Sequence, residues 1–129
     1  MSCFGPYFTE EELGVTNAPD EVKEQMFLLV QLVLNPIRKK FGPIIITSGY
    51  RSPEHNAKIG GVNTSQHITG QAVDFIAKNV PTREVFEWLR EFYTGQCIYY
   101  SQRKHCHISL PTRDLHIKQR LYSFIDDKK

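Results

Sequence analysis

The chain has 129 residues, 40% of them hydrophobic and 12% aromatic, enough for one compact domain burying roughly two-thirds of its unfolded surface and too short for a second. Sixteen Lys and Arg against fourteen Asp and Glu leave a formal charge of +2 with no block of five like charges, so the basic stripe that nucleic acid requires is missing and no nucleic-acid partner is expected. No membrane partner is expected either: the longest mostly apolar stretch, Met26 to Leu34, is interrupted by Gln31 and falls far short of the roughly 20 residues that cross a bilayer.

The start of the chain, Met-Ser-Cys-Phe-Gly-Pro, lacks both a positive n-region and an apolar h-region, so synthesis in the cytoplasm without a signal peptide is expected. Thr9 followed three residues later by Glu12 has the form of a capping box and predicts a short helix over Glu10 to Leu13. Val22, Met26, Leu29, Val33, Ile37 and Phe41 recur at spacings of 4, 3, 4, 4 and 4, the period of one buried helical face, with Pro19 and Asp20 in its first turn and Gly42-Pro43 stopping it. Pro36 lies inside that pattern, where its ring meets the carbonyl of Leu32, and predicts a kink or a break between two helices.

Ile44 to Thr47 is a β-branched run bounded by Gly-Pro and Ser-Gly and reads as a buried strand. The polar stretch from Tyr50 to Thr69 has the length at which a connection without periodicity is usually functional. Gln71 to Ala77 alternates as a strand. Thr82 suits the cap of a helix whose Val85, Phe86, Leu89, Phe92 and Tyr93 form an apolar face ending at Gly95, with Trp88 at its edge. Cys97 to Tyr100 and His105 to Leu110 read as two strands of a hairpin joined by Ser101 to Lys104. The tail from Leu115 to Ile125 fits a further strand or a helix. Cys3, Cys97 and Cys106 show no CxxC spacing and read as reduced thiols, with Cys106 facing the core. Helices first and then strands mixed with one helix predict an α+β fold with a largely antiparallel sheet, in one domain over 1–129.

Two histidines and a carboxylate outline a metal site. His67 ends the long loop, Gly70 lets the chain fold back, Asp74 follows on a strand and His107 lies on the hairpin. Two imidazoles and one carboxylate leave the fourth position of a tetrahedral zinc ion to water, the open arrangement of catalytic zinc, and such a water is acidified into a nucleophile. Residues two apart on a strand share a face roughly 6.6 Å apart, so His105 looks the same way as His107. A zinc bond of about 2.0 Å favours only one of the two as ligand; His107 is assigned to the metal and His105 to a place beside it or to proton transfer.

Ser48-Gly49-Tyr50-Arg51-Ser52, Asn56, Gly60-Gly61, Ser65-Gln66-His67-Ile68-Thr69-Gly70-Gln71-Ala72-Val73-Asp74 and His107-Ile108-Ser109 together resemble the zinc D-Ala-D-Ala carboxypeptidases and related peptidoglycan endopeptidases, whose fold is of the Hedgehog/D-Ala-D-Ala-peptidase type. The short chain, its Tyr7-Phe8-Thr9 opening and the Gln96, Ile98 and Tyr100 run are similar to small members encoded by bacteriophages and prophages. The resemblance implies one zinc ion held by His67, Asp74 and His107, and hydrolysis of peptide bonds in peptidoglycan stem peptides by a monomer that reaches the wall after release. It also implies that Arg51 meets the substrate, holding a peptide carboxylate or the developing oxyanion, and that Ser65 contributes a hydroxyl. One position departs from the family pattern: many members carry an acid three residues before the last histidine ligand as general base, and here that residue is Lys104. His105, a neutral imidazole near pH 7, is the first candidate to take its place. The alternative is a zinc-stabilised module of the cell wall or of a phage particle that binds without cleaving.

Overall fold

Thr9 and Glu12 close the capping box that the sequence predicts: the Glu12 N–H donates to Thr9 Oγ1 at 3.1 Å and the Thr9 N–H to Glu12 Oε1 at 3.2 Å, which fixes α1 at Glu10–Leu13. The computed structural model describes residues 4–52, 58, 70–91, 93, 95–110 and 122–125, the last four as backbone. After α1 comes one long helical run. Helix α2, Asp20–Leu29, passes into a π-helical turn over Val30–Leu34 and then into α3, Asn35–Phe41.

The expected break falls just ahead of Pro36, which lies in the first turn of α3, and it takes the form of a π turn for a reason that lies in the period. Val22 to Phe41 covers five intervals of 4, 3, 4, 4 and 4 residues, one residue more than five turns of a 3.6-residue helix hold. In an ideal helix the apolar stripe would drift by about one residue, or roughly 100°. The π turn takes up the surplus: the Asn35 N–H bonds the Val30 carbonyl five residues back, and the widened turn eases the Pro36 ring past the preceding carbonyls. Val22, Met26, Leu29, Val30, Val33, Leu34 and Ile37 are all buried as a result, while Phe27, Leu28 and Leu32 face outward.

Strands β1, Ile44–Ser48, β2, Ala72–Ala77, β3, Cys97–Tyr100, β4, His105–Ser109, and β5, Tyr122–Ile125, form one sheet in the order β1-β2-β4-β3-β5. The first four pair antiparallel and β5 runs parallel to β3, so the predicted α+β class with a largely antiparallel sheet holds and the tail contributes a strand. Helix α4, Thr82–Arg90, packs against β2, β3 and β4. Its Val85, Phe86 and Leu89 are buried with Val73, Phe75, Cys97, Tyr99, Cys106 and Ile108 of the sheet, and the Phe86 and Tyr99 rings stack at 5.9 Å. Trp88 is half-buried at the edge of that face.

Two details of α4 differ from expectation. Thr82 is not its cap: Pro81 holds that position without a side-chain bond, and the Thr82 hydroxyl instead accepts the Ala77 N–H at 2.9 Å, tying the helix to the end of β2. The helix also stops at Arg90 rather than running to Gly95. Gly95 serves a close approach, since a Cβ there would lie 2.2 Å from the Ser109 carbonyl oxygen, and Tyr93 Oη donates to that same oxygen at 2.6 Å. Phe92 lies outside the described residues.

Candidate metal centre

Alternation along β2 sends Val73 and Phe75 into the core, so Asp74 between them must face the other way; alternation along β4 does the same for His105 and His107 on either side of buried Cys106. The register then pairs Asp74 directly with His107, and His107 Nδ1 lies 2.8 Å from Asp74 Oδ1 with 15% and 17% of the two side chains exposed. Cross-strand partners stand close enough for such contact without any loop to help them.

A bulge in β1 sets the next piece. The register passes from Ile46 opposite Phe75 to Ser48 opposite Asp74, so Thr47 is the extra residue and Ser48 is carried onto the open face. From there Gly49 passes so close to the end of α1 that a Cβ would lie 2.2 Å from the Leu13 carbonyl oxygen, and the Tyr50 N–H donates to that oxygen at 2.8 Å. Arg51 follows, half-buried, with its Nε buried and unpartnered among the described residues. On the other strand end, Gly70 has φ +76° and a Cβ there would lie 2.5 Å from the Val22 carbonyl oxygen, while Gln71 Nε2 donates to Gln25 Oε1 at 3.1 Å. The turn into β2 is thereby fastened to α2.

His105 shares the face of His107 and meets the edge of the Tyr100 ring opposite it, with centroids 4.8 Å apart. The Arg103 guanidinium lies 5.3 Å from the same tyrosine ring. Lys104, at the position where an acid is usual, is exposed and left-handed at φ 57°, its N–H closing the turn on the Tyr100 carbonyl at 2.8 Å. Nothing in the residue pattern signals the Tyr100 contact, which depends on the strand register. Ser109 completes the His-x-Ser motif with its Oγ buried and unpartnered among the described residues, and its backbone is held by Gln96 and Tyr93.

The described structure therefore brings Asp74 and His107 together, sets His105 on their face and places Arg51 on the loop leaving Ser48. His67 and Ser65 lie outside the described residues, and among the described residues no cluster of three metal-ligating side chains occurs. The donor chemistry fits zinc, which takes imidazole nitrogen and carboxylate oxygen at about 2.0–2.2 Å, so that two such donors stand on the order of 3 Å apart. Cys97 and Cys106 are not part of it. Cys97 and Cys106 point into the core with their sulfurs 3.6 Å apart and unoxidised, and burial, followed by the neighbouring Cys97, holds the Cys106 thiol well above its ordinary pKa.

An aspartate oxygen and an imidazole nitrogen stand side by side on the open face of the sheet, two donors of the kinds that metallopeptidases use. The family follows from comparison: a family model described as Peptidase M15 matches residues 6–109, and the chain belongs to that family of D-Ala-D-Ala carboxypeptidase-like enzymes. No curated protein gives a match to the chain. Among the described residues no helix is long and apolar enough to cross a membrane.

Proposed function

We propose that the chain is a zinc peptidase, a single domain over 1–129, that hydrolyses peptide bonds in peptidoglycan stem peptides. The observation that carries this reading is the 2.8 Å contact of His107 Nδ1 with Asp74 Oδ1 on the open sheet face, in a chain of the M15 family. His67, Asp74 and His107 hold one ion. When bound, zinc supplies Lewis acidity to the scissile carbonyl and acidifies the attacking water.

The side chains around the ion do the rest. Arg51, whose buried Nε lacks a partner among the described residues, turns its planar fork to a substrate carboxylate or to the carbonyl oxygen as it gains negative charge. Ser65 adds a hydroxyl to the same substrate. His105 accepts a proton on a ring nitrogen from the attacking water and returns it to the leaving amine; the Tyr100 edge contact restrains its ring. The enzyme acts as a monomer on the wall after release from the cell that makes it, as a phage or prophage product would.

The test combines metal analysis with mass spectrometry of digested sacculi. Wild-type protein is expected to carry one zinc and to release D-alanine or cut stem peptides, while His67→Ala, Asp74→Ala and His107→Ala lose zinc and cleavage together. Lys104 in place of an acid favours a second reading, a zinc-stabilised wall-binding module without turnover. That module would sediment with sacculi and produce no new amino termini.

A further inference from the structure

The hairpin that carries His105 and His107 holds a second pair of reactive side chains on its opposite face. Cys97 of β3 and Cys106 of β4 are free thiols with no exposed surface, and their sulfurs lie 3.6 Å apart. Cys97 stands opposite Ile108 and Cys106 opposite Tyr99, so the two are diagonal neighbours across the β3–β4 pair rather than direct partners. Val73, Phe75 and Ile108 of the sheet and Phe86 and Leu89 of α4 belong to the same buried cluster. Among the described residues no third metal-ligating side chain joins the thiols, so they lack the ligands of a structural zinc site. What two thiols in contact can do is join each other. A disulfide needs its sulfurs about 2.05 Å apart, so from 3.6 Å each would move by about 0.8 Å.

We propose that Cys97 and Cys106 are a redox-active pair, which a small-molecule disulfide closes into a bond tying β3 to β4 when the chain passes from reducing to oxidising surroundings. One thiolate attacks the oxidant and forms a mixed disulfide, and the other displaces the small thiol. Two protein thiols and one disulfide thus become one protein disulfide and two small thiols, and the two electrons and two protons that the cysteines lose go to the oxidant. Because both sulfurs are buried, exchange runs through opening of the hairpin. The closed bond removes freedom from the unfolded chain over the ten residues Cys97 to Cys106 and so favours the folded form. A bond across the diagonal also draws the strands together, and a disulfide held away from its relaxed geometry is the more readily reduced, so a thiol pool reopens it. The metal face is spared, since Asp74 and His107 lie on the other side of the sheet. Where the oxidant is met rests on the reading above, a chain released from the cell that makes it; the bond itself does not.

The experiment uses the full chain carrying Cys3→Ser, which keeps the third cysteine out of the exchange, equilibrated without denaturant in glutathione buffers from fully reduced to fully oxidised. Trypsin cuts after Arg103 and Lys104, between the two cysteines, so a closed bond shows in the mass spectrum as two peptides joined. The oxidised buffers are expected to remove both thiols from alkylation together, to give the joined peptides without a glutathione adduct, and to raise the urea midpoint by about 1 M. Dithiothreitol should reverse all three, and neither Cys97→Ala nor Cys106→Ala should gain stability on oxidation. Thiols that stay free in the oxidised buffer, glutathione adducts in place of the joined peptides, or a joined form no more stable than the reduced one overturns the proposal. Zinc content and peptide cleavage are read on both forms: equal values are expected, and a joined form that loses what the reduced form has overturns the claim that the metal face is spared. A bond that forms and stabilises a protein which cleaves in neither form removes the peptidase reading alone.

Discussion

Replacing Gly49 with alanine tests the link between the first helix and the active face. The added methyl would stand 2.2 Å from the Leu13 carbonyl oxygen, about 1 Å inside ordinary contact, and the carbonyl belongs to a four-residue helix locked by its capping box. Backbone must therefore move. Overpacking of this kind costs about 1–3 kcal/mol, and parting the Tyr50 N–H from that oxygen, now bonded at 2.8 Å, adds about 0.5–1.5 kcal/mol. The expected loss is about 2–4 kcal/mol, which lowers a urea midpoint by roughly 1–2 M at an ordinary m-value. Ile45→Ala, an exposed change on β1 just ahead of it, should stay within about 0.5 kcal/mol of wild type. Because Arg51 rides on the displaced loop while Asp74 and His107 sit on β2 and β4, Gly49→Ala should retain zinc and lose peptide cleavage. A variant within about 0.5 kcal/mol of wild type that cleaves at full rate would refute the argument.

Two further outcomes can be measured on the same preparations. Cys106 is buried and its thiol is held well above the ordinary value of 9.0; the unfolded chain then loses this proton first, so stability that is present below about pH 9 falls as pH rises beyond it, by up to about 1.4 kcal/mol per unit. Urea unfolding between pH 8 and 10.5 should show a steeper decline for wild type than for Cys106→Ala, and parallel profiles would contradict the assignment. Thr82→Val removes the acceptor of the Ala77 N–H and should cost about 1–3 kcal/mol, with faster amide exchange at Ala77, whereas Thr82→Ser keeps most of the stability; a neutral valine variant would mean that water replaces the hydroxyl without loss.

Local chemistry was legible wherever it decides the structure locally. Thr9 with Glu12 announces its helix, and strict alternation around Asp74 and around Cys106 tells which side chains share the open face, because the strand period leaves no other choice. The features that the sequence did not disclose depend on distant partners. The surplus residue between Val22 and Phe41 was present in the spacing, yet whether a proline or a π turn absorbs it depends on the whole buried stripe staying in register with the core. Thr82 has the chemistry of a cap, but the end of β2 claims its hydroxyl. Gly95 looks like a helix stop and is instead the space for Ser109. The bulge at Thr47 follows from pairing with β2, so the placement of Ser48 opposite Asp74 is a property of the sheet rather than of the Ser-Gly-Tyr-Arg-Ser motif. His67 and Ser65 fall outside the described residues.

Trp88 is the chain's single tryptophan, and it meets Phe41 edge-on at 5.4 Å with the Lys40 ammonium 5.5 Å from its ring. Its emission therefore reads the seam between α3 and α4, where an aromatic edge and a quenching cation both leave at once when the helices part. Circular dichroism reads helices and sheet together. Superposed melting curves from the two signals would mark the seam as melting with the rest of the chain; an earlier optical change would mark α3 as the first part to come away.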